Sequence, residues 1–276
     1  GYGLAARPSV ARSASRTGER PVASPGSDRH AAAPMNLTNL RQRLHALGAS
    51  PGHAAHVLRR WVQARPQDSG RRKPEHYLPL AVRNALPTLL VEWSGLARVL
   101  SAHPGADGSE RLLLALGDGQ TVEAVLLPKG GLCVSTQVGC AVGCVFCKTG
   151  EGGLARQMGS AEIVAQVALA RARRAVTNVV FMGMGEPAHN LDAVMEAIDL
   201  LGREGGIGHK NLVLSTVGDA RVFERLAALD ALADGTARFL AQDPALATLA
   251  PRLRKAEARI DWRLPAVAIE RQVRAF

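Results

Sequence analysis

Leu132-Cys133-Val-Ser-Thr-Gln-Val-Gly-Cys140-Ala-Val-Gly-Cys144-Val-Phe-Cys147 carries all four cysteines of a 276-residue chain. Its last eight residues form a Cys-x-x-x-Cys-x-x-Cys triplet, three soft donors that one loop can bring to a single metal or cluster. Three protein ligands rather than four leave one coordination position open for chemistry. Two other uses of the thiols compete with this one. Cys133 could close a tetrahedral zinc site, although zinc ribbons pair two Cys-x-x-Cys arms and this chain has one. A redox dithiol at Cys144 and Cys147 leaves the third cysteine unexplained. Structural thiols or a disulfide framework fit poorly, because the triplet is crowded and staples little of the chain.

Outward from the triplet, the pattern is that of alternating strands and helices. Residues 111–127 read as two strands around Gly117-Asp118-Gly119, a hairpin signal. After the cysteine loop, Ser160 is placed to cap a helix running to Arg173, and residues 178–182 read as a buried strand. Asn190 is placed to cap a helix through Leu201 that ends at Gly205-Gly206, and residues 211–216 read as a further strand. This order predicts an α/β fold with parallel βα units. The turn Gly183-Met-Gly185-Glu186-Pro187-Ala188 has a superficial dinucleotide-binding spacing. Glu186 would repel a pyrophosphate there, and Pro187 lacks the amide that should cradle it.

Three runs together carry a family resemblance: the cysteine stretch from Leu132, Asn178-Val-Val-Phe-Met-Gly183-Met-Gly185-Glu186-Pro187, and Leu214-Ser215-Thr-Val-Gly218. They resemble the bacterial adenine-C2 RNA methyltransferases of the RlmN/Cfr family, which are radical S-adenosylmethionine (SAM) enzymes. The likeness runs from about residue 37 to residue 218 and is tightest from Thr121 onward. It implies a partial (β/α) barrel with ligands at the C-terminal strand ends, preceded by a small helical accessory domain. It further implies that Cys140, Cys144 and Cys147 hold a [4Fe-4S] cluster whose electron cleaves SAM to a 5'-deoxyadenosyl radical. Gly185 and Glu186 match the motif for the SAM amino group, and Ser215 matches a SAM contact. Glu123 matches the general base on the adenine ring. Cys133 matches the thiol that resolves a covalent RNA adduct by disulfide formation with a second, methyl-carrying cysteine. Read without the resemblance, Glu123 is an ordinary solvated strand residue. The implied partners are ribosomal RNA, transfer RNA and a flavodoxin-like one-electron reductant.

Composition agrees with a polyanionic partner. The formal net charge is +10, and 47% apolar residues can build a sizeable core. Only 4% of residues are aromatic, which offers no stacking platform for single strands. No apolar stretch is long enough to span a bilayer, so the expectation is a cytoplasmic protein without a membrane partner. Residues 1–34 are rich in Ala, Ser, Pro and Arg and read as a disordered basic leader ahead of a natural start at Met35. Residues 35–95 read as the helical accessory domain. Leu37, Leu40, Leu44 and Leu47 mark one amphipathic helix; Ala54, Val57, Leu58 and Trp61 mark a second. Arg59, Arg60, Arg71, Arg72 and Lys73 fit an RNA-contacting use or, read singly, an ordinary solvated charged face. Residues 96–218 read as the radical SAM core.

Past Gly218 the family's further βα units and its methyl-carrying cysteine have no counterpart in the sequence. Residues 219–276 read as a helical tail outside that family. Residues from about 232 to 276, most clearly Leu249 to Phe276, resemble the segment of methionyl-tRNA formyltransferases that joins their two domains, with Pro265 opening a short basic helix. The expectation is a truncated barrel with an exposed edge and an impaired or inactive enzyme. The alternative is an inactive RNA-binding fragment or fusion that keeps an iron-sulfur or zinc loop.

Overall fold

The computed structural model describes residues 34–69, 73–144 and 147–225. Residues 1–33 of the basic leader, Arg71, Arg72 and the tail beyond residue 225 lie outside the described residues. Three helices come first: α1 (Leu37–Ala46), α2 (Pro51–Val62) and α3 (Leu80–Ser94). The first two present the apolar stripes expected of them, and Leu37, Leu40, Leu44, Val57 and Leu58 are fully buried. Sequence patterning did not mark α3, which buries Val82, Leu86, Leu89 and Trp93.

The strands are β1 (Ala97–Pro104), β2 (Glu110–Leu116), β3 (Thr121–Leu127), β4 (Gly131–Val134), β5 (Gln137–Gly139), β6 (Leu154–Gln157), β7 (Asn178–Phe181) and β8 (Leu212–Leu214). Helix α4 (Ser160–Arg173) precedes β7, and α5 (Leu191–Arg203) precedes β8. Six strands form one sheet in the order β1-β2-β3-β4-β7-β8. The pairs from β1 to β4 are antiparallel, and β4, β7 and β8 run parallel. The sheet therefore joins an antiparallel meander to the predicted βα units at β4. The hairpin and the strands at 178–182 and 211–216 are present, the last trimmed to three residues. Strand β1 and the small β5-β6 sheet were not foreseen.

Register sets the two faces of the large sheet. Leu112, Leu114, Val122, Ala124, Leu126, Leu132, Val134, Val179 and Phe181 point into the core. Leu113, Glu123, Val125, Cys133, Val180 and Val213 share the other face, which is open in its outer parts. Helix α4 is buried along almost its whole length. The sheet lies on one side of it and α1, α2 and α3 lie on the other, so these helices share one hydrophobic cluster with the strands.

Two predicted caps serve other purposes. Ser160 is the first helical residue of α4, with Gly159 as its N-cap and Glu162 accepting from the Gly159 amide at 2.7 Å. The Ser160 hydroxyl accepts from the Leu37 amide at 2.8 Å and donates to Glu196, tying α1 to α4 and α5. Asn190 donates from Nδ2 to the carbonyls of Thr136 and Met158, each at 2.7 Å, instead of capping α5. In both cases a buried tertiary partner outcompetes the local amide. No helix among the described residues is long and apolar enough to cross a membrane.

Phe181, fully buried on β7 beside the edge strand β8, provides a test of this packing. Phe181→Ala should cost about 3–5 kcal/mol, whereas Val213→Ala on the exposed edge strand should cost under about 1 kcal/mol. Urea titration of the two variants measures the difference.

Candidate active site

Three loops leave the C-terminal ends of the parallel strands and meet. The first continues from β4 through Ser135 and Thr136 into β5 and the cysteine loop. Its base is closed by the Cys140 amide donating to the Gly153 carbonyl at 2.9 Å, and its far end by the Cys147 amide donating to the Cys144 carbonyl at 2.9 Å. Gly139 makes this closure possible. Its φ is +78°, and a Cβ there would overlap the Gly153 carbonyl. All four thiols are free; Cys140 is buried, while Cys144 and Cys147 are half-buried. Among the described residues, no three His, Cys, Asp or Glu side chains are gathered tightly enough to hold a single metal ion. Three unpaired thiols on one anchored loop, without a histidine or carboxylate in the triplet, form a donor set that fits a thiolate-held iron-sulfur group.

The second loop follows β7. The Gly183 amide donates to the Val134 carbonyl at 2.9 Å, and the amides of Thr136 and Gln137 donate to the Met184 carbonyl at 2.9 and 3.2 Å. Gly185 has φ +100°, and a Cβ on it would lie 2.5 Å from the Gln137 side chain. Gln137 Oε1 then accepts from the Glu186 amide at 2.7 Å. The first two loops are thus laid against each other at backbone distance.

The third loop follows β8 and converges on Glu186, whose residue exposure is only 4%. Glu186 Oε1 accepts from the Ala188 amide at 3.0 Å and from the Thr216 hydroxyl at 2.5 Å; Oε2 accepts from the Val217 amide at 3.1 Å. All three donors are neutral, and Glu186 forms no ion pair among the described residues. A carboxylate has about four acceptor sites, so this arrangement leaves capacity for a cationic ligand. Ser215 stands at the same strand end, its amide 3.4 Å from the Phe181 carbonyl. The residue bonded to Glu186 is its neighbour Thr216, which sequence reasoning missed although the adjacent hydroxyls were in view.

Glu123 lies on the open sheet face, half-exposed, with Oε1 3.0 Å from Arg111 Nη1. Its amide points at Met184 Sδ, 3.3 Å away. Glu123, Arg111, Met184, Lys148, Thr149 and Gly153 line a cleft of about 500 Å³ between the β2-β3 hairpin and the cysteine loop. Cys133 lies on the same face of β4, paired with Val125 and Val180 rather than placed in the loop. Burial pushes its thiol above the ordinary range, against a smaller opposing pull from a hydrogen bond with the Met182 backbone.

Residues 134–242 match the family model described as "Radical SAM superfamily". The chain is 68% identical over 192 residues to a "Probable RNA methyltransferase" of Leptothrix cholodnii, covering 70% of this chain and 55% of that one. A "Probable RNA methyltransferase" of Pseudomonas aeruginosa is 65% identical over 194 residues, covering 70% and 56%. The chain thus spans about half the length of the curated relatives it matches. Among solved structures, a radical SAM methyltransferase from Sphaerobacter thermophilus aligns with TM-score 0.55 and 34% identity, over 71% of this chain and 60% of that one.

The raised Cys133 thiol has a direct chemical consequence. A folded-state value above the unfolded one means that the neutral thiol's contribution to stability is complete below the ordinary thiol range and is lost as pH rises through the folded value. At pH 8 iodoacetamide should therefore modify Cys133 at least about tenfold more slowly than Cys144 and Cys147. Denaturation should equalise the rates, as peptide mass spectrometry would record.

Proposed function

We propose that this chain, which matches the radical SAM superfamily over residues 134–242, binds SAM as the core of an enzyme type that methylates carbon 2 of adenine in ribosomal and transfer RNA, a reaction incomplete in these residues for want of the methyl-carrying cysteine. Buried Glu186 carries this reading: its carboxylate is fixed by three neutral donors and lacks a cationic partner among the described residues. The ammonium of an amino-acid ligand would supply the missing positive charge. Gly185 permits backbone approach beside it, and Ser215 and Thr216 close the strand end. Cys140, Cys144 and Cys147 would hold the [4Fe-4S] cluster, which when bound supplies the electron for reductive SAM cleavage.

The chain's own residues divide the remaining work. Glu123 faces the cleft and takes the proton from the adenine ring. Its ion pair with Arg111 is 42% exposed on the Glu side, so the pair is weak enough to open when RNA enters. Cys133 matches the thiol that would resolve an RNA adduct by disulfide formation with a second cysteine, and burial raises its pKa above the ordinary thiol range. The methyl-carrying thiol it would pair with is not among these 276 residues, whose four cysteines lie at 133, 140, 144 and 147. Residues 35–95 act as the helical RNA-contacting part, residues 96–218 as the radical SAM core, and a flavodoxin-like protein as the reductant.

Anaerobic reconstitution with iron and sulfide, followed by SAM and dithionite, tests the proposal. The expected result is charge-transfer absorbance with 5'-deoxyadenosine formation, and Cys140→Ala should abolish both. Glu186→Gln should keep the iron and weaken SAM binding by about tenfold or more, the scale of a lost charge-assisted hydrogen bond. A protein that takes up one zinc ion and no iron would refute the proposal.

A further inference from the structure

The β3-β4 ladder ends at the Val125 and Cys133 pair, before it reaches Glu123 and Ser135. From there β4 leaves its neighbour and runs towards the cysteines. Parting strands inside a protein strand polar backbone groups that must find partners. Ser135 is fully buried, and Gln166, 1% exposed on α4, satisfies both of its backbone groups. Gln166 Oε1 accepts from the Ser135 amide at 3.0 Å, and Nε2 donates to the Ser135 carbonyl at 2.8 Å. The amide side chain thus takes the place of a neighbouring strand.

With its backbone fixed in this way, Ser135 directs its hydroxyl to two functional loops at once. Oγ donates to the Glu123 carbonyl at 2.5 Å and accepts from the Met184 amide at 2.8 Å. Met184 returns the contact through Sδ, which faces the Glu123 amide at 3.3 Å. A Cβ at Gly183 would lie 2.8 Å from both Ser135 N and Oγ, so only glycine lets the turn approach. Both backbone groups of Glu123 are therefore held against the turn that delivers Gly185 and Glu186.

We propose that Ser135, locked by Gln166, is a positioning residue that fixes the spacing between Glu123 and the Gly183–Glu186 turn. In functional terms it sets the distance between the base and the SAM ammonium site, and to that extent it rests on the reading given above. The physical coupling can be measured without that reading.

The test compares the full chain with Ser135→Ala, Ser135→Thr and Gln166→Met, each reconstituted anaerobically with iron and sulfide. Two readouts are taken: amide hydrogen exchange, and electron paramagnetic resonance of the reduced cluster during SAM titration. Ser135→Ala should keep its iron content and the slow exchange of α1 and α2. Amides at 182–186 should exchange about tenfold faster, and the SAM concentration for half of the spectral change should rise about tenfold, as expected for one lost buried hydrogen bond. Ser135→Thr, which keeps the hydroxyl, should return both readouts towards wild type, and Gln166→Met should move both in the direction of Ser135→Ala. Unchanged exchange at 182–186, an unchanged SAM titration, or a Ser135→Thr variant as impaired as Ser135→Ala overturns the proposal. A wild-type cluster that ignores SAM sinks the proposed function instead, and the exchange result then decides this inference alone. If Ser135→Ala does not fold, Gln166→Met decides between the two outcomes through the same pair of readouts.

Discussion

Strand β4 is the constraint on which the other parts depend, because all four of its residues are buried and it pairs in opposite senses on its two sides. Its antiparallel partner β3 carries Glu123; its parallel partner β7 leads into the glycine turn; its own continuation leads to the cysteines. A strand so enclosed must be apolar, and Gly131-Leu-Cys-Val134 is. Shifting β4 by one residue would reverse which side chains face the core. Cys133 would then leave the open face, and Ser135 would lose its place opposite Glu123. Register in four residues therefore aligns three chemical elements at once.

Glu186 imposes a second constraint, of charge rather than shape. An ionised carboxylate removed from water is costly unless hydrogen bonds replace its hydration. Its donors come from its own loop and from the loop after β8, so the charge holds the ends of two neighbouring strands together. The arrangement has a preference built into it. Neutral donors stabilise the anion without cancelling it, and the remaining attraction is available to a cation at the mouth of the sheet. An arginine in the same place would have given a more self-sufficient fold and a less useful site.

What the sequence disclosed and what it hid divide along physical lines. The cysteine loop, the hairpin around Asp118 and the parallel units were legible because soft ligands, turn glycines and apolar runs leave local signals. Strand β1 and the three-residue β5 have weak local patterns, and their pairing partners create them. Ser160 and Asn190 were read as caps because their chemistry suits caps; the structure employs the same chemistry on more distant partners. Gln166 and Thr216 were invisible for a related reason. A neutral polar residue within a helix or at a strand end looks solvated until the fold brings a buried backbone group or a carboxylate to it.

The charged contacts of the cysteine loop differ sharply between its base and its rim. At the base, Arg156 on β6 donates to both oxygens of Glu162, at 2.8 and 3.0 Å, and to Asp118 at 2.6 Å. Burial alone would lower the guanidinium's proton affinity, but these bonds to Glu162 and Asp118 hold it well above the ordinary value. The three side chains are 17%, 7% and 12% exposed, so removing the arginine would leave two carboxylates together with little solvent, a loss of about 3–5 kcal/mol for a buried partner. At the rim, Lys148 and Glu151 pair at 88% and 57% exposure, where such contacts contribute about 0–1 kcal/mol. Asp118 belongs to the turn of the hairpin that carries Glu123, and Glu162 belongs to the first turn of α4, where a negative charge is favoured. One arginine thus anchors the base of the cysteine loop to both the hairpin and the helix, whereas the ion pair at the rim facing the cleft adds little.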